Sequence, residues 1–199
     1  GIALSPDTIF AGLIGAPDLR GFGIFWMDEK ALARALEGVG GIAIFGYQAG
    51  DKRVAEATRS IPHPLPPGAA EAFVNRAMQR GGDEDVWVMD GSSSGLSEVL
   101  GVISLKRMDE TKWDRGQSEV GYWVAPAFWN TGFASEAVRA LIAANPQRNR
   151  TVFAEVFQDN PGSARVLTNA GFQYLGDAET FSVARGARVP TWTYLRKLA

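Results

Sequence analysis

The chain has 199 residues, 46% of them hydrophobic and 21% charged, which is typical of a globular domain with a sizeable core. Its 20 Lys and Arg against 22 Asp and Glu give a net charge of −2, so neither nucleic acid nor an anionic membrane is expected as the main partner. Because the sequence has no cysteine, disulfide bonds, thiol catalysis and Cys-ligated metal sites are excluded.

Length and apolar runs bear on domain count and localisation. The chain fits one domain. No apolar run reaches the ~20 residues that a membrane-spanning helix needs, and residues 1–21 lack the basic start of a signal peptide. We therefore expect a single-domain, cytoplasmic protein. Whether it forms a homodimer is left open.

The first quarter of the chain carries weak signals. Residues 1–20 show no convincing period and are expected to be irregular. Beyond them, the pattern predicts a short strand at Gly21–Trp26, a helix from Asp28 to about Leu36, and another short strand at Gly41–Tyr47.

A proline-rich loop separates this part from a predicted hairpin. Ile61–Pro67 contains four prolines and is expected to be an extended loop. The elements predicted around it are one helical turn at Arg53–Thr58, a helix at Gly68–Gln79, and strands at Asp85–Met89 and Val99–Leu105.

The second half is predicted to alternate strands and helices. The predicted strands are Glu119–Val124 and Thr151–Phe157, the predicted helices are Gly132–Ala144 and Asn160–Ala170, and strand-like pieces follow at Phe172–Leu175, Thr180–Val183 and Thr191–Leu195. Hairpins followed by this alternation indicate one mixed α/β domain.

The turn before the second-half helix is the most informative stretch. Trp129–Ala134 joins a strand to a helix N-terminus, where free amide N–H groups and the positive end of the helix dipole favour an anion. Gly132 lets the backbone approach that anion closely. We expect a pyrophosphate to bind this turn.

Two segments carry a family resemblance. Trp129-Asn130-Thr131-Gly132-Phe133-Ala134 resembles the acyl-CoA pyrophosphate loop of the GNAT N-acetyltransferase superfamily, whose pattern is Gln/Arg-x-x-Gly-x-Gly/Ala. Asn160-x-x-Ser163-x-x-Val166-Leu167-x-x-x-Gly171-Phe172 is similar to the superfamily's next strand–helix segment. The order and spacing of the two motifs are more specific than either motif alone.

The stretch EVGYWVAPAFWNTGFASEA at Glu119–Ala137, together with the Ile61–Pro67 loop, resembles the branch of ribosomal-protein N-terminal acetyltransferases (RimJ/RimL-like). The resemblance covers roughly residues 52–198. We accordingly expect residues 51–199 to be the GNAT domain and residues 1–50 to be a poorly matched N-terminal part of the same domain.

The resemblance implies a fold and a reaction. The fold is α/β with a mixed (α+β) sheet: a central, twisted, mostly antiparallel sheet, flanked by helices and splayed at the cofactor cleft. The reaction is direct transfer of an acetyl group from acetyl-CoA to a primary amine, on a protein N-terminus or a small molecule. No metal is implied, and His63 is the only histidine in the sequence.

The resemblance also implies which residues hold the cofactor. They are Val124, Trp129, Asn130, Thr131, Gly132, Phe133, Ala134, Asn160 and Ser163. Coenzyme A offers a diphosphate for the loop amides and an amide-bearing arm that can pair like an extra strand, if strands Glu119–Val124 and Thr151–Phe157 splay apart. Trp129 stands where the family has Gln or Arg, and Thr131 where it usually has Lys or Arg, so one phosphate-binding cation is missing.

Two residues are candidates for catalysis. Leu167 occupies the place of the superfamily's frequent tyrosine acid, which leaves Ser163 as the hydroxyl expected near the sulfur; the alternative is that Ser163 satisfies a backbone group in its own helical turn. Glu119 is the candidate base, directly or through water, and its alternative is a solvated strand end. The backbone N–H of Val124 is the expected oxyanion donor.

A second class of function competes with catalysis. Leu167 and Thr131 also suit a non-catalytic module that binds acyl-CoA as a regulator. A P-loop nucleotide enzyme is excluded because no Gly-Lys-Ser/Thr is present.

Overall fold

The computed structural model describes residues 25–26, 41–79, 82–91, 95–97, 99–108 and 116–198. The helices are α1 (Gly41–Ala49), α2 (Lys52–Glu56), α3 (Ala69–Ala77), α4 (Phe133–Ala144) and α5 (Pro161–Asn169). The strands are β1 (Phe25–Trp26), β2 (Glu84–Asp90), β3 (Gly101–Arg107), β4 (Gln117–Val124), β5 (Thr151–Phe157), β6 (Gln173–Ser182) and β7 (Ala187–Lys197). A short 3₁₀ helix at Pro126–Phe128 joins β4 to the turn before α4. No helix in the described part of the chain is long and apolar enough to span a membrane.

These strands form one sheet in the order β1-β2-β3-β4-β5-β7-β6. Every neighbouring pair is antiparallel except β4 and β5, which run parallel. The expected mixed and mostly antiparallel sheet is therefore confirmed.

The parallel pair comes apart after three residue pairs. Gln117 to Glu119 of β4 lie opposite Thr151 to Phe153 of β5, and the pairing ends there. Beyond this point β4 stays paired with β3 as far as Val124, and β5 stays paired with β7 as far as Phe157. The expected splay is confirmed, and it opens a gap in the middle of the sheet.

A polar cluster ties the closed end of this gap. Ser118 Oγ on β4 lies 2.5 Å from Gln147 Oε1 and 3.0 Å from Asn149 Oδ1, both in the connection from α4 to β5. The Gln147 amide also donates to Leu105 O at 3.0 Å and to Asp85 Oδ2 at 2.6 Å. Because Ser118 and Asn149 are buried, these contacts fix β4 and the start of β5 against β2 and β3.

Each face of the sheet is covered by its own helices. On one face, α4 and α5 pack on the central strands, and the shared core includes Val120 and Val152 of the strands, Val138 and Leu141 of α4 and Leu167 of α5. On the other face, α1 and α3 pack around Phe45, Val74, Val88 and Val102. The gap between β4 and β5 is therefore walled by two separate apolar clusters.

The strand predicted at Gly41–Tyr47 is wrong, because this segment is helix α1. Its buried side chains, Phe45 and Ala49, are four residues apart and lie on the face turned to α3. A Cβ on Gly46 would come within 3.3 Å of the Ala70 side chain, so the glycine permits a close helix–helix contact. Tertiary packing overrides the β-branched, glycine-bounded pattern that predicted a strand.

The other elements lie close to their predicted positions. The pieces at Phe172–Leu175 and Thr180–Val183 belong mostly to one strand, β6, which has a register shift between Tyr174 and Gly176. The predicted strand at Gly21–Trp26 is described only at Phe25–Trp26, which pair with β2. The helix predicted from Asp28 to Leu36 and residues 1–20 lie outside the described residues.

Leu167→Ala tests the core under α5. Leu167 is completely buried, so the truncation should lower the free energy of unfolding by about 2–5 kcal/mol through lost burial and the cavity left behind. Denaturant unfolding measures the change. Leu175→Ala is the control, because that leucine is 55% exposed and its loss should change stability by no more than about 0.5 kcal/mol. Equal effects of the two substitutions would contradict the packing described.

Candidate functional site

The gap between β4 and β5 opens into a cleft of about 1310 Å³. Its lining comes from β4, β5, the turn before α4, the start of α5 and the segment before the proline loop. Residues from these elements that line it include Glu119, Tyr122, Val124, Trp129, Gly132, Ala134, Glu155, Asn160, Ser163 and Arg59. The splayed sheet thus brings most of the predicted site residues to one cavity.

The open stretch of β4 turns backbone groups toward this cleft. Ala125 N donates to Leu100 O at 2.8 Å, so the Gly101–Val124 pair is a non-hydrogen-bonded pair of the β3–β4 ladder. By the alternation of the ladder, the N–H and C=O groups of Tyr122 and Val124 face the gap instead of β3. The Val124 carbonyl accepts the indole N–H of Trp129 at 2.7 Å, and its N–H is directed at the cleft.

The turn before α4 offers its backbone. Asn130 (φ 61°) and Gly132 (φ 96°) are both in the left-handed region, and the first hydrogen bond of α4 runs from Glu136 N to Gly132 O. The amides of Ala134 and Ser135 are therefore not used within the helix. Together with the helix dipole, they make the positive end of α4 that the sequence predicts for an anion.

Two loop side chains do not reach the cleft as ligands would. The Thr131 hydroxyl donates to Phe128 O at 2.5 Å, and Thr131 is not among the lining residues. The Phe133 ring is buried in the core, with its centroid 6.2 Å from that of Phe128. Neither the Thr131 hydroxyl nor the Phe133 ring is therefore placed as a ligand for an anion, whereas Asn130 lines the cleft.

The start of α5 meets β4 through a pair of hydroxyls. The Asn160 side chain caps α5 by accepting from Ser163 N at 3.2 Å. Ser163 Oγ lies 2.7 Å from the Tyr122 hydroxyl, which also donates to Ser163 O at 3.2 Å. The hydroxyl of Ser163 therefore contacts a phenol across the cleft wall and not a backbone group of its own turn. Burial raises the pKa of Tyr122 well above its usual value, so the phenol stays protonated.

Glu119 lies on the opposite face of β4 and is held by an arginine. Its Oε2 is 3.0 Å from Arg59 Nη2, while Arg59 Nη1 is 3.1 Å from Glu155 Oε2 on β5. The Thr191 hydroxyl donates to the other oxygen of Glu155 at 2.7 Å. With its side chain 25% exposed, Glu119 is a paired carboxylate on the cleft wall and not a freely solvated strand end.

The segment carrying Arg59 is fixed from outside the sheet. Val183 N donates to Arg59 O at 3.0 Å, and Arg185 Nε donates to Glu56 O at 2.7 Å. The Arg185 guanidinium also forms an ion pair with Asp159, at 2.6 Å. The turn between β6 and β7 therefore holds in place the wall of the cleft that carries Arg59.

Above Arg59 the cleft has an apolar wall. The rings of Phe45 and Phe73 stack with centroids 5.0 Å apart, and Trp123 lies 5.7 Å from Phe45. Leu65 of the proline loop packs on this cluster. His63 does not line the cleft, since its Nδ1 lies 3.1 Å from Gly50 O and its ring anchors the loop.

Among the lining residues that the sequence analysis did not predict, Arg59, Tyr122 and Glu155 carry the polar contacts of the site. Strand alternation places Tyr122 on the face of β4 away from Glu119, but nothing in the sequence indicates that it meets Ser163, 41 residues away. Arg59 gave no signal, because its partners lie 60 and 96 residues further along the chain.

Comparisons with known proteins agree with this geometry. The family profile described as "Acetyltransferase (GNAT) domain" matches residues 43–173. The uncharacterized N-acetyltransferase p20 of Bacillus licheniformis is 30% identical over 100 residues, which are 49% of this chain and 54% of the relative. YoaA of Bacillus subtilis (strain 168), also described as an uncharacterized N-acetyltransferase, is 28% identical over 99 residues, with the same shares. The match thus spans about half the length of these curated relatives.

Solved structures share the fold at low identity. The microcin C7 self immunity acetyltransferase MccE, in complex with acetyl-CoA and AMP, superposes with a TM-score of 0.66 at 13% identity over 79% of this chain and 87% of its own. Mycobacterium smegmatis RimJ, with CoA-disulfide, gives 0.64 at 19% over 78% and 77%. Spermidine N-acetyltransferase from Vibrio cholerae, with CoA and spermine, gives 0.61 at 15% over 79% and 90%. These likenesses confirm the expected fold, and with the family match they lead to one conclusion: the chain belongs to the GNAT acetyltransferase domain family.

Proposed function

We propose that the protein transfers an acetyl group from acetyl-CoA to a primary amine by direct attack of the amine. The observation that carries this proposal is the cleft itself. One strand, β4, turns free backbone groups toward the gap, the N-terminus of α4 lies at its rim, and a carboxylate lies on the other face of the same strand.

Acetyl-CoA is held mainly by main-chain groups in this proposal. The diphosphate binds the turn from Trp129 to Ala134, where Gly132 brings the backbone close and the amides of Ala134 and Ser135 are not used within the helix. The amide-bearing arm pairs with the exposed edge of Tyr122 and Val124 as an added strand. Asn160 and Ser163 flank the thioester end.

The acceptor amine enters from the face that carries Glu119. Two carboxylates and one guanidinium leave the Glu119–Arg59–Glu155 group with a net negative charge, which favours an incoming ammonium. Glu119 takes a proton from the ammonium, directly or through water, and the neutral nitrogen attacks the thioester carbonyl. The second proton, which the nitrogen must lose once the C–N bond has formed, leaves to solvent.

The carbonyl carbon first forms the new C–N bond, and its C–S bond breaks afterwards. The N–H of Val124 stabilises the oxyanion that develops between these events. The hydroxyl of Ser163 supplies a proton to the departing thiolate and regains one from solvent in the open cleft. Leu167, at the place of the superfamily's tyrosine acid, is fully buried and has no hydroxyl to act instead of Ser163.

For the acceptor, we propose an α-amino group of the kind used by the RimJ/RimL-like branch. The stretch Glu119–Ala137 and the proline loop above an aromatic wall support this choice. Fold likeness alone does not select it, because a spermidine N-acetyltransferase and RimJ superpose about equally well. A small amine is therefore the second acceptor class.

The burial of Leu167 at the place of the family's tyrosine acid also favours a second function, an acyl-CoA-binding module without turnover. Mass spectrometry of the purified protein with acetyl-CoA and a panel of peptides and small amines separates the two. An acetylated peptide N-terminus is the expected product. Tight acetyl-CoA binding with no product from the whole panel would establish the module instead.

Gly132→Asp tests the phosphate turn. A Cβ at Gly132 meets nothing within 4 Å, so the aspartate makes no steric clash, but at φ +96° any side chain strains the turn. The aspartate also places a negative charge where the diphosphate is proposed to bind. We expect calorimetry to show a loss of acetyl-CoA affinity of at least a hundredfold. Gly95→Asp is the matched control, since Gly95 has φ +72°, equally open space and no place in the cleft. Unchanged affinity in Gly132→Asp would refute the assignment.

Glu119→Gln tests the base. General base catalysis contributes about 10²–10⁴ in rate, so kcat should fall at least a hundredfold while KM for acetyl-CoA changes little. Glu155→Gln breaks the other ion pair of Arg59 and should lower kcat by less than about tenfold. Steady-state kinetics compares the two. Equal losses would mean that Glu119 acts only by holding Arg59.

A further inference from the structure

The contact between Tyr122 and Ser163 joins two hydroxyl groups that have two hydrogens between them. Tyr122 OH lies 2.7 Å from Ser163 Oγ and 3.2 Å from Ser163 O, and either hydroxyl can be the donor in the shorter contact. If Ser163 donates, its hydrogen is used on the phenol and the phenol donates to Ser163 O. If Tyr122 donates to Oγ, the hydrogen of Ser163 is left for a third group.

The position of Ser163 indicates which group would accept its hydroxyl hydrogen. Both residues line the cleft, and Ser163 is in the first turn of α5, where the proposed function puts the sulfur of the cofactor. A thiolate there accepts hydrogen bonds and donates none, so its arrival selects the arrangement in which Tyr122 donates to Oγ and Ser163 donates to sulfur.

Packing and hydrogen bonds hold both Tyr122 and Ser163 in place, so their hydroxyl groups stay in contact. Tyr122 packs against the core formed with α4 and α5, next to the buried Val120 and Val124 on the same face of β4. The other partner, Ser163, is fixed by the Asn160 cap and by the buried Leu167 one turn further along α5. Because burial raises the pKa of Tyr122, the phenol keeps its proton and remains a donor.

We propose that Tyr122 is a positioning residue. By donating a hydrogen bond to Ser163 Oγ, it directs the hydroxyl hydrogen of Ser163 toward the sulfur of bound coenzyme A. The proposal rests on the proposed function for the place of the sulfur, and it assigns to β4 the phenol that α5 lacks at Leu167. Tyr122 does not itself give up its proton, so no tyrosinate forms.

The test compares two ligands that differ only at the sulfur. Calorimetry at pH about 9, where much of a free thiol is ionised, gives the affinities for coenzyme A and for desulfo-coenzyme A, in which hydrogen replaces the thiol. Wild type should prefer coenzyme A, by about tenfold for a hydrogen bond to a charged group. Ser163→Ala and Tyr122→Phe should each abolish most of this preference, and the double variant should lose no more than Ser163→Ala.

A purely structural role of Tyr122 gives a different result. Loosening α5 would weaken both ligands alike and leave their ratio as in wild type, which would overturn the proposal. Tyr194→Phe is the matched control, because Tyr194 is buried in the same core and does not line the cleft; its ratio should not change.

Turnover supplies a second readout. With an amine that the wild type acetylates, Tyr122→Phe should lower kcat about tenfold with KM for acetyl-CoA unchanged, and should have no further effect in the Ser163→Ala background. Additive losses in kcat would overturn the proposal. If wild type forms no product at all, the proposed reaction fails, whereas the ligand ratio still decides whether Tyr122 orients Ser163 toward sulfur.

Discussion

One constraint in the sheet underlies every feature of the site: the two strands of its parallel pair are each held along their full length by a different partner. β3 keeps β4 paired to Val124, and β7 keeps β5 paired to Phe157. The strands follow these partners and separate after Glu119. Backbone groups that a continuous sheet would consume are left facing a cavity, where a ligand can satisfy them.

Two sets of side-chain contacts hold strands β4 and β5 in this arrangement. At the closed end, buried Ser118 and Asn149 share a polar cluster with Gln147, so sliding β4 against β5 would strand polar groups away from water. At the point where the strands begin to separate, Arg59 bridges Glu119 on β4 and Glu155 on β5. Ser118 and Asn149 of the first set are buried, whereas the Arg59 side chain is 46% exposed, and exposed ion pairs contribute little to stability.

Much of the fold could be predicted from local pattern, and the site only in part. Strand Thr151–Phe157 has the predicted bounds, and its buried residues alternate along it at Val152, Ala154 and Val156. The strand prediction for Gly41–Tyr47 was wrong because the helix that forms there depends on packing against α3, which the local sequence pattern does not show. The turn at Gly132 could be predicted because glycine readily adopts the positive φ that the turn requires. The pairings of Tyr122 with Ser163 and of Glu119 with Arg59 join distant parts of the chain, so only the folded structure shows them.

The alternation along β4 has a kinetic consequence. Tyr122, with Ser163, lies on the face of α4 and α5, while Glu119 and Trp123 lie on the face of α1 and α3. Under the proposed reaction the two substrates therefore approach from opposite sides of the sheet and meet in the gap, and neither must leave before the other binds. Such an enzyme works through a ternary complex, so double-reciprocal plots at several fixed concentrations of the second substrate intersect instead of running parallel.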